Sequence, residues 1–320
     1  MVNSDYKAPL LFRNGHIHTI YPTLFRKLEG VHYRRERITT PDNDFLDVDW
    51  SVVGSDRLVI ISHGLEGHTH RAYVKGMAKA VNEEGIDALA WNFRGCGGEA
   101  NRQFRLYHNG ATDDLHTVIE HAAANYAKIY LVGFSMGGNI SLLYLGRKDF
   151  AVPDAVEGCV TFSVPCDLTD ASVALERREN SIYMKRFLRL LHEKVRMKME
   201  LYPERIDDRN YDQLKTFKDF DDRYTAPIHG FDSAEDYWQK CSCRPWLGKI
   251  KVPTLIVNSI DDPFLQGGCY PQEECSSNSN LTLEITRYGG HVGFVGDGVK
   301  GRYWSEQRAL QFIDGLSVGG

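Results

Sequence analysis

Short apolar runs alternate with stretches of helical periodicity along most of the chain. The runs predict strands, because strands that are buried on both faces of a parallel sheet carry few polar positions. They are RLVIIS at 57–62, IDALAWNF at 86–93, KIYLVGF at 128–134, EGCVTFS at 157–163, TLIVNS at 254–259 and LTLEITRY at 281–288. Helical patterns lie around 72–84, in DDLHTVIEHAAA from 113, in NISLLYL from 139 and in RYWSEQRALQFI at 302–313. This alternation predicts a mostly parallel sheet with helices on both faces.

Two local patterns refine this prediction. FLDVDWSVV at 45–53 alternates between apolar and polar positions, which indicates an edge strand or an antiparallel one. Thr112 stands before DDLHTVIEHAAA and is the predicted N-cap of that helix, with Asp113 and Asp114 near its positive end. The helix is therefore expected to begin just after Thr112.

The segment 166–247 has no strand pattern and is charged and helical instead. It interrupts a regular series of strands and helices, so we interpret it as an inserted helical cap or lid. The sheet domain is then divided into a first part at 1–165 and a second part at 248–320.

One helical stretch of this segment has an apolar stripe made by Met184, Phe187, Leu188, Leu191 and Val195. Basic residues occupy much of the remaining surface: Lys185, Arg186, Arg189, Lys194, Arg196 and Lys198. Such a helix can meet lipid or an anionic substrate, or it can pack on the body with a solvated charged face. We favour packing, because apolar stripes at helical spacing usually belong to a core.

Composition narrows the classes of partner and compartment. The 320 residues carry a net charge of −5, so no global basic field attracts nucleic acid. The seven cysteines are odd in number and the chain opens without a secretory leader, which indicates reduced thiols in a cytoplasmic protein. No run approaches the length needed to cross a bilayer, so we expect no integral membrane segment.

The stretch Gly133-Phe134-Ser135-Met136-Gly137 lies where a buried strand stops and a helical pattern begins. A strand, a sharp turn and a helix with Gly-x-Ser-x-Gly at the turn form a nucleophile elbow, which exposes the serine oxygen at the carboxyl edge of a sheet. The alternative is a glycine-rich phosphate loop, and neither a Walker lysine nor GxGxxG spacing is present. The motif therefore predicts that Ser135 is a nucleophile.

A serine nucleophile needs a base, and the base needs a carboxylate that orients it. The strand TLIVNS runs into the pair Asp261-Asp262, and the next strand runs into His291, which has glycines on both sides. The chain order of serine, acid and histidine is the one that accompanies a nucleophile elbow. We predict Asp262 as the orienting acid and His291 as the base, with Asp261 capping or bracing the loop. Taken singly, the Asp pair could form a turn and the histidine could be structural.

Acyl transfer also needs N–H donors for the developing oxyanion. The residue after the nucleophile, Met136, is one predicted donor. The other is Leu65, in the loop HGLEG that follows the strand 57–62. His63 at the start of that loop is expected to brace it, and a simple strand-ending turn remains the alternative for the loop itself.

Other histidines and cysteines carry no predicted chemistry. His68 and His70 near His63 do not make a convincing set of four metal ligands, and neither do Cys241 and Cys243. We therefore predict neither a metal site nor a cofactor. No chemical role follows for His16 and His18.

Stretches throughout the chain resemble the α/β-hydrolases, and more narrowly their YheT-like branch. They are GHIHTIYPTLFR, HGLEGHTHRAYV, WNFRGCGGEANR, GFSMGGN, FKDFDDRYTAPIHGFDSAEDYW, VPTLIVNSIDDPF and GGHVGF. The blocks NFRGCGGE and DFDD…TAP…GF…YW are more specific than GFSMGGN. The resemblance implies an α/β-hydrolase fold, hydrolase or carboxylesterase activity, and the triad Ser135, Asp262 and His291. Some eukaryotic members act on medium-chain phospholipids and usually carry an N-terminal membrane anchor. This chain lacks that anchor, so we do not expect it to reside in a membrane.

Together these patterns predict a serine esterase that forms an acyl-enzyme on short- to medium-chain esters, including lipid esters. The alternative is a protein of the same fold that binds a ligand and turns it over slowly or not at all. A nucleotide-binding α/β protein would need a phosphate loop, which the sequence does not contain.

Overall fold

Nine strands form one sheet in residues 2–296 and 301–318, the part of the chain that the computed structural model describes. The strands are β1 (Val2–Asn3), β2 (Arg34–Thr39), β3 (Phe45–Ser51), β4 (Arg57–Ser62), β5 (Asp87–Trp91), β6 (Lys128–Phe134), β7 (Val156–Phe162), β8 (Thr254–Ser259) and β9 (Leu281–Thr286). Their order across the sheet is β1-β9-β8-β7-β6-β4-β5-β3-β2. The pairs β2–β3 and β3–β5 are antiparallel, and the other pairs are parallel.

Helices cover both faces of this sheet, and others lie in the segment 166–247. They are α1 (Gly15–Phe25), α2 (Ala72–Glu83), α3 (Thr112–Ala123), α4 (Met136–Arg147), α5 (Leu168–Leu175), α6 (Ser181–Leu201), α7 (Phe217–Phe220), α8 (Ala226–His229), α9 (Ala234–Cys241), α10 (Gln272–Ser276) and α11 (Trp304–Val318). Helices α2 and α11 pack on one face against Val59 and Ile61 of β4. Helices α3 and α4 pack on the other face against Ile60, because successive strand residues point to opposite sides. The predicted α/β fold class is thus confirmed.

The elements that the sequence patterns did not predict lie at the sheet edges and near the N-terminus. The predicted strand at 45–53 is antiparallel, as β3, but β2 lies outside it and forms the edge. The two residues of β1 pair with β9, and α1 precedes β2. The predicted N-cap role of Thr112 is wrong, because Thr112 is the first helical residue and Ala111 takes the cap position without a side-chain bond.

The segment 166–247 contains helices α5 to α9 and, throughout its described length, no strand. In α6 the side chains of Met184, Leu188, Leu191 and Val195 are buried in a core of this segment and Phe187 is partly buried against it, so the stripe packs as predicted. The sequence pattern predicts that Lys198 lies on a solvated face of the helix, but the structure buries its side chain. Its ammonium group is buried, where it donates to the carbonyl oxygens of Asn101, at 2.8 Å, and Gln103.

Two general features complete the fold. All seven cysteines are buried and free of disulfide bonds. Among the helices in the described part of the chain, none has both the length and the apolar character needed to span a membrane.

Candidate active site

Ser135 lies at a sharp turn between β6 and α4. Its backbone angles are φ 53° and ψ −119°, a conformation that is energetically unfavourable for any residue other than glycine. The turn is held from both sides, because the Ser135 N–H donates to the Phe162 carbonyl of β7 at 2.8 Å. The Asn139 N–H returns a bond to the Ser135 carbonyl at 3.0 Å. The predicted strand–turn–helix arrangement is present, and the serine is half-buried at the carboxyl end of β6.

The glycines of this turn are required by close main-chain contacts. A Cβ atom on Gly133 would lie 2.6 Å from the Cα atom of Gly138. On Gly137 it would lie 2.4 Å from the Ser62 carbonyl oxygen and 2.5 Å from that of His63. Since the obstructing atoms are backbone, no side-chain rotation can relieve these contacts. We name residues 133–138 the nucleophile turn.

His291 bridges the serine and an acid. Its Nε2 atom lies 2.9 Å from Ser135 Oγ, and its Nδ1 atom lies 2.9 Å and 3.1 Å from the carboxylate oxygens of Asp262. A carboxylate only accepts hydrogen bonds, so Nδ1 carries the ring proton and Nε2 is left to accept from the serine hydroxyl. The structure therefore brings together the three residues that the sequence singled out, in the order serine, histidine and aspartate.

The two adjacent aspartates have different partners. Asp262 is buried and also accepts the N–H of Phe264 at 2.9 Å. Asp261 accepts the N–H of Gly290 at 2.9 Å and makes no bond with the imidazole of His291. Burial raises the pKa of Asp261. The pair thus divides into one acid that faces His291 and one that braces the loop carrying it.

The loop after β4 approaches the serine from the other side. A Cβ atom on Gly64 would lie 3.2 Å from Ser135 Cβ, which places the following residue, Leu65, beside Ser135. Leu65 and Met136 both line the cavity that contains Ser135 and His291. In the described part of the chain, neither of their N–H groups donates to another loop or to a side chain.

Two buried side chains brace this loop. His63 Nδ1 donates to the Gly64 carbonyl at 2.8 Å, and its Nε2 accepts the Phe93 N–H at 3.1 Å. Burial lowers the pKa of His63 to about 3, so the ring is neutral in this role. Glu66 accepts the hydroxyl of Tyr107, and burial raises the pKa of that carboxyl group.

Two cavities meet at the serine and the histidine. The first, of about 120 Å³, is largely apolar and runs beneath the segment 166–247, whose Leu175, Phe187, Leu191 and Phe217 form part of its wall. The second, of about 210 Å³, lies towards α1 and α2 and contains Arg71 and Arg186. Leu65, Phe187 and Phe264 border both cavities.

A carboxyl group stands in the wall of the apolar cavity. Asp221 begins a π-helical turn, Asp221–Thr225, a form of helix that often marks functional positions. Its oxygens accept the Thr225 hydroxyl at 2.5 Å and the Trp238 indole N–H at 2.8 Å. Burial raises the pKa of Asp221 to about 7.

Among the described residues, three arginines and one acidic residue, Glu66, line the second cavity. In the described part of the chain, neither Arg71 nor Arg186 is paired with a carboxylate, although Arg71 donates to the Glu66 carbonyl at 3.0 Å. Burial lowers the pKa of Arg186, and the neighbouring charges of Arg71 and Arg189 lower it further. The two guanidinium groups are therefore close enough to repel each other, and both are able to bind an anion.

Sequence reasoning missed the part that α1 plays here. The Thr19 hydroxyl accepts the main-chain N–H of His291 at 2.8 Å, and His18 Nε2 accepts that of Val295 at 2.9 Å. The segment GHIHT has no chemical role that its sequence indicates, and its spacing contains no signal for contacts with residues so far away in the chain. Over residues 2–296 and 301–318, no three side chains of His, Cys, Asp or Glu are grouped so that they could hold a metal ion.

Comparisons with known proteins agree on the fold. A model of the family described as alpha/beta hydrolase fold matches residues 57–296. YheT of Escherichia coli strain K12 is 35% identical over 313 residues, which cover 94% of this chain and 91% of YheT. Phospholipase ABHD3 of Homo sapiens is 31% identical over 307 residues, which cover 92% of this chain and 75% of ABHD3. The solved structure of the Pyrococcus furiosus esterase PF2001 has a TM-score of 0.61 at 18% identity, with 91% of this chain and 96% of that chain covered.

Proposed function

The chain belongs to the α/β-hydrolase family and is similar to YheT, and on this basis we propose that it is a serine hydrolase of carboxylic esters. The observation that carries the proposal is the continuous hydrogen-bonded line from Ser135 through His291 to Asp262. A serine, a neutral imidazole and a carboxylate in that line are what acyl transfer through an acyl-enzyme requires.

In the proposed mechanism, His291 Nε2 takes the proton of Ser135 as its oxygen attacks the ester carbonyl. Asp262 keeps the ring in the reactive tautomer and stabilises the imidazolium that forms. His291 then protonates the leaving alcohol, which leaves the acyl group on Ser135. The same imidazole activates a water molecule that releases the acid and restores the serine.

The oxyanion is assigned to the N–H groups of Leu65 and Met136. Their position beside Ser135 and their lack of other partners in the described chain support this role. Such donors stabilise charge that appears only in the transition state, and the loss of one typically costs about 3 kcal/mol. The bonds of His63 and Glu66 support the loop that presents Leu65.

The apolar cavity is the proposed acyl site. Its volume of about 120 Å³ is modest and its wall is largely apolar. This supports short- to medium-chain acyl groups over long ones. The segment 166–247 contributes much of the cavity wall, and we therefore assign it the role of a lid on a core formed by 1–165 and 248–320.

The arginine-lined cavity is the proposed site for the alcohol part of the ester. Arg71 and Arg186 favour an alcohol that carries a phosphate or another anion. The similarity to a protein named phospholipase supports a lipid ester of this kind. Replacing Arg186 by Gln is then expected to raise KM for a short-chain phosphatidylcholine or phosphatidylglycerol more than for 4-nitrophenyl butyrate.

Hydrolysis of 4-nitrophenyl esters from acetate to palmitate tests the proposed reaction. Ser135→Ala is expected to lower kcat by at least about 10³-fold with an unchanged circular dichroism spectrum. Ser141→Ala is the matched control, because that buried hydroxyl on α4 donates only to the Gly137 carbonyl, at 2.8 Å. Turnover that survives Ser135→Ala would refute the mechanism. A folded protein that binds an ester without hydrolysing it would support the ligand-binding alternative.

A further inference from the structure

The loop that carries His291 has an unfavourable backbone. We name residues 289–296 the histidine loop. Within it φ is 56° at Gly290, 61° at Val292 and 41° at Phe294. A β-branched residue such as valine rarely adopts a left-handed conformation, because its Cβ substituents crowd the backbone. Such a loop keeps its shape only where surrounding contacts hold it.

One of these contacts comes from the hydroxyl group of Thr19 in α1. Thr19 Oγ1 accepts the main-chain N–H of His291 at 2.8 Å and donates to the Gly15 carbonyl at 2.6 Å. The hydroxyl proton is therefore committed to Gly15, and a lone pair faces His291. This bond acts on the backbone of the same residue whose ring meets Ser135.

A second contact comes from His18, which is fully buried. Its Nε2 atom accepts the N–H of Val295 at 2.9 Å, so this nitrogen carries no proton. Burial lowers the pKa of His18 to about 4, and the ring therefore keeps its acceptor at neutral pH. The two bonds fix the histidine loop at His291 and again four residues later.

The main chain of α1 also packs directly on the loops of the site. A Cβ atom on Gly290 would lie 2.7 Å from the Gly15 carbonyl oxygen, and one on Gly293 would lie 2.4 Å from that of His18. A Cβ atom on Gly15 would lie 1.8 Å from the carbonyl oxygen of Asp261. The start of α1 thus contacts both the histidine loop and the loop that carries the acid.

We propose that Thr19 and His18 are positioning residues, which hold the histidine loop so that the imidazole of His291 reaches Asp262 and Ser135 together. This inference rests on the proposed function. The described hydrogen bonds of both side chains go to main-chain groups, to Tyr6 or to Tyr183, and none goes to Ser135, Asp262 or the imidazole of His291, so we infer that they act through the loop. A shift of about 1 Å in such a group can lower turnover by about 100-fold.

Three variants test the proposal through kcat and KM for 4-nitrophenyl butyrate. Thr19→Val keeps the shape of the side chain and removes the acceptor. We expect it to lower kcat about tenfold or more while KM stays within about twofold. Thr19→Ser restores the hydroxyl and is expected to keep kcat within about twofold. Thr117→Val is the control, because its hydroxyl makes the same backward bond in α3, to the Asp113 carbonyl at 3.0 Å, and has no described bond to this loop.

Amide hydrogen exchange gives a readout that needs no substrate. The His291 amide is expected to exchange faster in Thr19→Val than in the wild type, and Thr19→Ser is expected to restore its protection. Unchanged exchange at His291, or equal losses of kcat in Thr19→Val and Thr117→Val, would overturn the positioning role. Absence of Ser135-dependent hydrolysis in the wild type would instead refute the esterase function, and the exchange data would still decide whether Thr19 holds the loop.

Discussion

The nucleophile turn and the histidine loop both contain an unfavourable backbone conformation, but different contacts hold each of them. Each carries a candidate catalytic side chain in a stretch with positive φ, which is 53° at Ser135 itself and 61° at Val292, the residue after His291. The nucleophile turn is confined by its own glycines and by the adjacent strands, whose carbonyl groups leave no room for a Cβ atom. The histidine loop is held by side chains from elsewhere, namely Thr19, His18 and Ser163, whose hydroxyl accepts the Val292 N–H at 2.9 Å.

The difference lies in which residues have to be of a special type. In the turn these are the serine and glycines of one strand–turn–helix unit, so its requirements appear as a short motif, although the carbonyl groups that confine it belong to Ser62, His63 and Phe162. The bonds from α1 to the histidine loop join residues 272 and 277 positions apart. The nucleophile turn and the histidine loop are therefore equally well defined in space, but only the nucleophile turn can be recognised from a short sequence motif.

The largest expected effect concerns the acid beside the histidine. In Asp262→Asn the amide group donates towards Nδ1 and favours the wrong tautomer of His291. We expect kcat for 4-nitrophenyl butyrate to fall by about 10³ to 10⁴-fold. Asp261→Asn is the matched control, since its remaining carbonyl oxygen can still accept the Gly290 N–H, and its loss should be below about tenfold. A greater loss in Asp261→Asn would reverse the assignment of the acid.

The second prediction tests the steric device of the nucleophile turn. In Gly137→Ala the new methyl group meets the carbonyl oxygens of Ser62 and His63, so the free energy of unfolding should fall by about 1–3 kcal/mol. Displacement of the elbow should also lower kcat. Gly315→Ala in α11 is the control, because a Cβ atom there has no neighbour within 4 Å. It should stabilise the protein by about 0.5–1 kcal/mol in urea denaturation. A tolerated alanine at 137 would contradict the steric argument.

The third prediction concerns the histidine loop at low pH. His18 has a pKa of about 4 in the folded protein, against an ordinary value of 6.5. Between these values the unfolded chain binds a proton that the folded chain does not, so stability is complete above pH 6.5 and falls as the pH falls. Relative to His18→Gln, the wild type should lose about 2 kcal/mol of unfolding free energy between pH 7.5 and 5.

Urea denaturation at each pH measures this loss. His63, with a pKa of about 3, titrates in the same direction but is present in both proteins, so its contribution cancels. Parallel pH curves for the wild type and His18→Gln would show that His18 is not held neutral in the loop contact.

The smallest effect is expected at the start of α1. The Asn14 side chain caps this helix by accepting the N–H groups of His16 at 3.0 Å and Ile17 at 3.1 Å. Asn14→Ala should lower the free energy of unfolding by about 1 kcal/mol, and Asn14→Asp should retain it. Asn14→Ala should lower kcat less than Thr19→Val does, because the hydrogen bond from the His291 N–H to the Thr19 hydroxyl remains. A larger effect on kcat would place the positioning role in the helix as a whole.

Much of the sheet could be predicted from the sequence because strands buried on both faces are apolar over their whole length. The predicted strands at 57–62, 128–134 and 254–259 match β4, β6 and β8 residue for residue. The edge strand β2 was harder to predict. Its sequence RRERIT has exposed, charged positions, as a loop would have. Thr112 was a misleading signal because a threonine before two acids also suits the first turn of a helix.

The residues of the candidate site also differ in whether the sequence could predict them. Ser135, Asp262 and His291 were predicted because each follows a strand and their order is characteristic, and the structure brings them within hydrogen-bond distance. Thr19 and His18 were passed over, because a helix near the N-terminus carries no local sign of what it will contact.

By itself the sequence determined the strand–helix series, the glycines of the nucleophile turn and the chain order of the three candidate residues. These features depend on periodicity and on the steric needs of neighbouring residues, which short stretches express directly. Only the tertiary structure decided that α1 holds the histidine loop, that Lys198 is buried and that two cavities meet at Ser135. Those features come from segments far apart in the chain, and their contacts exist only after the sheet has brought the segments together.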